Sequence, residues 1–346
     1  MNRIGSDLIN SEQELLEVMT RPNSLLIDSI NNINGDIMLL GAGGKMGLSL
    51  ALLIKKAVAA TDKELKVTAV SRFSDNSVAE SFSSNGIEII KCDLSDEKQI
   101  SLLPKHKNII YMVGRKFGSA DNQALTWGIN TYLIGRVAEI FRESNIILFS
   151  TGNVYPFYQI DTEGPDEDCP TGPLGEYAQS ALGRERVFQY LSEKNGTRGL
   201  IFRLNYAIDL RYGVLYDLAS KVYNGDEISL EMGYFNCIWQ GDANLIAILC
   251  LSHASSPPAV LNVTGKQIHS VRKTAEWFGN YYSKKPRFSG EERQDALLSN
   301  AKRSYELFDF DRVPIEQMLE WTAHWIQSGK RSLDKPTHFE VRSGSF

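Results

Sequence analysis

The chain has 346 residues, enough for about two domains at the usual ~150 residues each, or for one large α/β domain with an added lobe. Its 42% hydrophobic and 23% charged residues are ordinary for a globular protein, and a net charge of -5 with both signs interspersed leaves no basic stripe for nucleic acid or for a membrane surface. No apolar run approaches the roughly 18–20 residues that span a bilayer, and the N-terminus lacks the apolar stretch of a secretory leader, so a cytoplasmic protein is expected.

Residues 1–35 read as a helical lead-in. Ser11 and Glu14 have the spacing of a capping box. A second helix from Ser24 to about Ile33 stops at Asn34-Gly35. The pattern then turns α/β. Short apolar strands are expected at Ile37–Leu40, Leu65–Val70, Ile87–Lys91, Asn108–Val113, Ile146–Ser150 and Gly199–Leu204. Helices fall between them, among them a long one from about Asn122 to Glu143 and another at Glu176–Glu193. This alternation predicts a doubly wound parallel sheet of Rossmann type over residues 36–204. From about 205 to 330 the rhythm loosens into a smaller C-terminal substrate lobe. It has helices at Val214–Tyr223, Asp242–Leu251 and Val271–Tyr282, and one strand, Ala259–Val263, returning to the sheet. The tail 331–346 is polar and aperiodic, either disordered or docked on a neighbouring lobe or subunit. Cys92, Cys169, Cys237 and Cys250 have no C-x-x-C spacing and the five histidines are scattered, so neither a disulfide framework nor a metal site is expected.

The sharpest local pattern follows the first sheet strand: Gly41-Ala42-Gly43-Gly44-Lys45-Met46-Gly47. Gly41 permits a tight turn, Gly44 lets backbone approach a pyrophosphate, and Gly47 lets the next helix sit close to the sheet. That helix would offer its free N–H groups to the phosphates. A strand before and a helix after make this a dinucleotide loop. At the end of the second strand stand Ser71 and Arg72 where an acidic residue would select NAD. A guanidinium beside a hydroxyl suits a 2′-phosphate, so NADP is favoured over NAD. Asp93-Leu94 after the third strand either approaches the adenine or forms a turn.

These residues carry a family resemblance. The chain resembles an extended short-chain dehydrogenase/reductase of the NAD(P)-dependent epimerase/dehydratase group over most of residues 36–280. Gly41, Gly44 and Gly47 match its G-x-x-G-x-x-G loop. Phe149 to Tyr155 resembles its S-[ST]-x-x-V-Y segment, Tyr177 to Ala181 its Tyr-x-x-x-Lys, and Arg203-Leu204-Asn205 and Leu261 to Gly265 two later strand ends. The resemblance implies that Tyr177 is the general acid/base, that Thr151 holds the reacting oxygen, and that Asn130 supports a proton relay. It also implies that Val113-Gly114 passes the cofactor, and that helices 122–143 and 176–193 form a homodimer interface. The polar residues Asn153, Asn205, Tyr206 and Arg211 are expected around a carbohydrate-type substrate.

Two positions depart from the pattern. Ala181 stands where the family has the lysine that binds the nicotinamide ribose and lowers the tyrosine pKa. Either another cation serves, with Arg115 and Lys116 better placed than Arg184, or the chemistry needs no tyrosinate, or the protein binds cofactor without turnover. Gly152-Asn153 replaces the Asp-Glu pair of the family's dehydratases, which argues against sugar-nucleotide dehydration. The expected function is an NAD(P)-dependent oxidoreductase or epimerase acting on a hydroxyl or carbonyl of a carbohydrate, sugar acid or sugar nucleotide. The alternative is a catalytically inactive dinucleotide-binding regulator or partner subunit.

Overall fold

The structure is a computed structural model that describes residues 8–335 and 337–345, so residues 1–7 of the expected lead-in and 336 and 346 of the expected tail lie outside the described residues. The sheet has seven strands: β1 Ile37–Leu40, β2 Val67–Ser71, β3 Glu88–Lys91, β4 Asn108–Tyr111, β5 Asn145–Thr151, β6 Gly199–Leu204 and β7 Ala259–Val263. All six pairings are parallel, in the order β7-β6-β5-β4-β1-β2-β3. β1 is apolar at every position and buried on both faces, as a central parallel strand requires. The strand order reverses between β1 and β4, where Leu40 pairs with both Val70 and Tyr111. A crevice opens there at the carboxyl ends of the strands.

Helices α1 Glu12–Met19, α2 Ser24–Asn32, α3 Gly47–Ala59, α4 Asn76–Ser83, α5 Glu97–Ser101, α6 Gln123–Trp127, α7 Leu133–Ile140 and α8 Gly175–Asn195 precede β6. Then come α9 Val214–Asn224, α10 Gln240–Leu249, α11 Val271–Tyr282, α12 Lys302–Leu307 and α13 Ile315–Gln327. One face of the sheet buries α2, α3 and α10 through Leu26, Leu50, Ile54 and Ile246; the other buries α7 and α8 through Ile134, Val137, Phe188 and Leu191. The lobe has its own core of Leu218, Phe278, Trp321 and Trp325. Leu15 and Met19 of α1 join that lobe core, so the lead-in divides between the two cores.

Two local expectations are refined. The Ser11 hydroxyl accepts from Glu14 N, but the Glu14 carboxylate accepts from the amide of Asn10 instead of Ser11. The segment 122–143 is not one regular helix: a π turn, Gly128–Tyr132, separates α6 from α7. The tail docks on the lobe. Asp217 of α9 accepts from Thr337 N at 2.8 Å, Phe339 is 2% exposed in the lobe core, and Arg342 pairs with Asp295 at 2.7 Å.

Candidate active site

β1 runs directly into the glycine loop. Gly41 has φ +86, and a Cβ there would lie 2.9 Å from the Val113 nitrogen. A Cβ on Gly47 would lie 1.9 Å from the Ala42 carbonyl oxygen, so no side chain fits. Gly44 is different. A Cβ there would meet only the Gly41 oxygen, at 3.5 Å, because the space beside it is a cavity. The protein leaves that cradle for something else, and a pyrophosphate fits it. α3 begins at Gly47 with Met46 at its N-cap position and no side-chain cap; the Gly47 amide donates to Gly44 O at 3.3 Å, and the next amides of the first turn have no side-chain partner among the described residues.

Two adjoining cavities of about 330 and 520 Å³ lie along the strand ends and share Gly41, Gly44, Met112, Gly114, Lys116 and Phe117. The first is also lined by Lys45, Met46, Gly47, Thr151, Asn153 and Tyr177, with Asn205 and Tyr206 from the strand end that leads into the lobe. The second is lined by Gly43, Ser71, Arg72, Asp93, Leu94 and Val113. Phe73 and Asp75, which the sequence reading passes over, also border it. The Ser71 hydroxyl lies 2.7 Å from where a Cβ on Gly43 would stand, while Arg72 is exposed and its guanidinium makes no ion pair among the described residues. Asp93 accepts from Ser95 N and lines the cavity as well, so it both makes a turn and faces the cleft.

Thr151 ends β5 and is 7% exposed. Its hydroxyl donates to Asn153 Oδ1 at 3.0 Å and accepts from Asn153 N, capping the short 3-10 turn Gly152–Val154. Tyr177 projects from the first turn of α8, its ring on the same cavity wall as Thr151. Asn205 is buried and donates to Asn236 Oδ1. Tyr206 holds φ 42, a left-handed conformation that is costly for a side chain of this size and typical of a functional bend.

Two expected residues stand elsewhere. Arg211 lines neither cavity: its guanidinium is committed to Asp209, at 2.7 Å, and to Glu12. Asn130 is fully buried behind the cavity wall. Its Oδ1 accepts from Arg115 N and Arg184 NH2, and its Nδ2 donates to Arg115 O and Ser180 Oγ, so its amide is used on both sides.

The cations also fall differently from expectation. Arg115 faces the second cavity and donates to Gly118 O. Lys116 borders both cavities and donates to the tail at Thr337 O, 3.0 Å. Arg184, two turns along α8 from Tyr177, lines the first cavity. Helical side chains lean toward the helix N-terminus, which aims Arg184 back toward Tyr177. Lys45, expected among the cofactor-binding residues of the glycine loop, reaches its ammonium into the cleft, 3.0 Å from the centre of the Tyr212 ring. Burial, then the nearby Lys116 and Lys335, pulls Lys45 down to about 7, and burial pulls Lys116 down to about 8. Glu185 and Arg203 form a buried bidentate pair that ties α8 to β6, with Ser150 donating to Glu185 and Arg203 donating to the Tyr155 hydroxyl. Arg203 is thus structural.

No curated protein matches the chain significantly by sequence. Solved structures show the same fold. UDP-glucose 4-epimerase of Thermotoga maritima, solved with UDP-glucose, has a TM-score of 0.69 at 16% identity, over 85% of this chain and 99% of that one. UDP-glucuronic acid 4-epimerase of Bacillus cereus, solved with NAD, has a TM-score of 0.68 at 15% identity, over 84% and 96%. RMD of Pseudomonas aeruginosa, complexed with NADPH, has a TM-score of 0.66 at 16% identity, over 84% and 98%. The family model described as the NAD dependent epimerase/dehydratase family matches residues 37–208, from β1 through the strand end that lines the first cavity. With its sheet order, its glycine loop and the tyrosine and threonine on one cavity wall, the chain belongs to the NAD dependent epimerase/dehydratase family.

Proposed function

We propose that the protein is an NAD(P)-dependent oxidoreductase or epimerase acting on a hydroxyl or carbonyl of a carbohydrate, sugar acid or sugar nucleotide. The observation that carries this reading is the pair of adjoining cavities, one with Ser71 and Arg72, the other with Thr151 and Tyr177, joined at Gly44 and Gly114. Ser71, Arg72 and Asp93 in the second cavity would hold the adenosine half of a dinucleotide, and Thr151 and Tyr177 in the first would face its nicotinamide half.

A nicotinamide held there would supply the site for hydride acceptance and return. The chain does the rest. Thr151 holds the oxygen on the reacting carbon by turning its hydroxyl proton from Asn153 Oδ1 to that oxygen. Tyr177 takes or gives the proton of that oxygen. Asn205 and Tyr206 face the substrate from the lobe side, and the buried Asn205–Asn236 bond fixes the first of them. NADP is preferred over NAD because Arg72 brings an uncommitted guanidinium to the mouth of the second cavity, beside the Ser71 hydroxyl. The setting proposed is cytoplasmic. No described helix is long and apolar enough to cross a membrane.

A second reading, a dinucleotide-binding regulator without turnover, is favoured by one observation, Ala181 in the family's lysine position. Fluorescence titration with NADPH and NADH, followed by turnover of Tyr177→Phe on a panel of sugars and sugar nucleotides, tests both. Tight NADPH binding, weakened about tenfold or more in Arg72→Ala, is expected, as is a large loss of turnover in Tyr177→Phe. Binding without turnover of any substrate supports the regulator. Binding of neither nucleotide overturns both.

A further inference from the structure

The side chain of Lys45 leaves the glycine loop on the lobe side. It lines the first cavity and not the second, and its ammonium lies over the Tyr212 ring, ahead of α9. Lys116 reaches the same cavity from the end of β4. The two ammonium groups stand 5.3 and 5.8 Å from the centre of one ring, that of Phe117. They are close enough to repel, and the charge of Lys116 adds to burial in holding Lys45 below its ordinary value.

The lobe does not neutralise this pair. Asp209 and Asp217 are the carboxylates that act on Lys45, and both are committed. Asp209 holds Arg211 through both of its oxygens, and Asp217 accepts from the amide and the hydroxyl of Thr337. No ion pair to Lys45 occurs among the described residues. Arg184 lines the same cavity, but each of its guanidinium nitrogens already donates to Asn130 or to the Phe149 carbonyl. An anion entering the cavity therefore meets two ammonium groups among aromatic rings, where little water screens the attraction.

The tail sets the size of what can carry that anion. The first cavity continues past Asn153 and Tyr206, and the tail from His338 to Gly344 fills the continuation. About 20 Å³ is left there, room for about one water. The tail is anchored on both sides of the cleft. Lys116 donates to Thr337 O, Phe339 is buried in the lobe core, and Arg342 lies 4.0 Å over the Phe157 ring while it pairs with Asp295. Gly344 passes so close to the start of α8 that a Cβ on it would lie 2.4 Å from the Leu174 carbonyl oxygen. A first cavity of about 330 Å³ is at the low end of the roughly 300–1,000 Å³ of small-molecule sites, and a nicotinamide would share it. A molecule of monosaccharide size fits beside it. A sugar carrying a nucleoside diphosphate needs the space that the docked tail occupies.

We infer that the first cavity takes a small sugar acid, its carboxylate held between Lys45 and Lys116, and that the docked tail excludes sugar nucleotides. This narrows the substrate of the proposed function and rests on that reading. Lys45 then gives its backbone to the cofactor loop and its side chain to the substrate. The rival anion for the pair is the pyrophosphate of the cofactor itself, and the turn of Lys45 toward Tyr212 favours the substrate.

Calorimetric titration of the full chain, with and without NADP, tests this. The probes are a panel of pentonates, hexonates and hexuronates, set against glucose, glucose 6-phosphate and UDP-glucose. At least one acid should bind about tenfold or more tighter than glucose, and lose about tenfold in Lys45→Met and in Lys116→Met. NADPH affinity should stay within about threefold in Lys45→Met. Should Lys116→Met fail to fold, Lys45→Met carries the test. No acid bound more tightly than glucose overturns the inference, as does an acid affinity indifferent to Lys45. Glucose 6-phosphate bound more tightly than every acid overturns the carboxylate, and UDP-glucose bound as tightly as the best acid overturns the size limit. An NADPH affinity that falls as far as the acid's gives the lysines to the pyrophosphate and overturns the inference too. Acid binding that follows the lysines without any NADPH binding sinks the cofactor reading alone, whereas NADPH binding with no acid bound sinks this inference alone.

Discussion

Arg184 grips Asn130 twice, through the main-chain oxygen with Nε and through the side-chain oxygen with NH2. The same Asn130 side chain binds both the N–H and the C=O of Arg115. One amide therefore fixes the path of the chain leaving β4 and the charge at the cavity wall together.

The glycine loop separates structural from ligand-facing glycines. Gly47→Ala puts a methyl 1.9 Å from the Ala42 oxygen and should cost more than about 3 kcal/mol, seen as an early urea midpoint. Gly44→Ala meets no protein atom closer than 3.5 Å and should leave stability within about 0.5 kcal/mol, yet weaken NADPH binding about tenfold or more. Equal stability losses in the two variants would contradict this division.

The Glu185–Arg203 pair predicts an asymmetry between single and double changes. Arg203→Met strands a carboxylate with no exposure and should cost about 3–5 kcal/mol. Adding Glu185→Gln to it should recover a good part of that loss. Denaturation of the two variants in parallel checks it.

Lys45 and Lys116 give stability a pH dependence. Both have folded values pulled down, to about 7 and about 8, from 10.5. Between those values and 10.5 the unfolded chain holds more protons, so their contribution to stability rises with pH across that window. Below about 7 the full cost of burying the Lys45 charge is present. Urea midpoints measured from about pH 6.5 to about pH 9.5 should climb less in Lys45→Met than in the unaltered chain. An identical climb would show that Lys45 ionises normally.

Trp127, Tyr132 and Tyr190 are 38, 64 and 63% exposed on the outer face of α6, the π turn and α8, around a shallow apolar depression that includes Val187 and Leu191. We propose this face as the homodimer interface. Tyr190→Arg should convert a dimer to a monomer in analytical ultracentrifugation without changing the far-UV circular dichroism. A monomeric unaltered chain would refute it.

Much of this site was legible in the sequence because it sits where regular structure ends. Gly41, Gly44, Thr151 and Tyr177 occupy strand ends and a helix start, where local spacing fixes position. β6 and β7 were readable to the residue, since apolar runs between turn signals leave little choice. Arg211 was misleading because its partners, Asp209 two residues away and Glu12 in a remote helix, are set by tertiary packing. α13 has no local marker as plain as the glycine loop, and the sequence reading places no helix there. Its two tryptophans and Met318 become legible as a face only against α9 and α11. Arg184 had a signal, the i+7 spacing from Tyr177, but not the π turn that gives its donors somewhere to go.

That π turn has a consequence for how the chain tolerates change in length. It holds about one residue more than an α turn, and each residue of helix advances its side chains by about 100°. Thr126 before the turn and Leu133 and Val137 after it are all buried. Removing a single residue between 128 and 132 would rotate one buried face away while the other stayed in place. It would also withdraw the carbonyl that Arg184 holds. In this stretch the number of residues matters more than their identity.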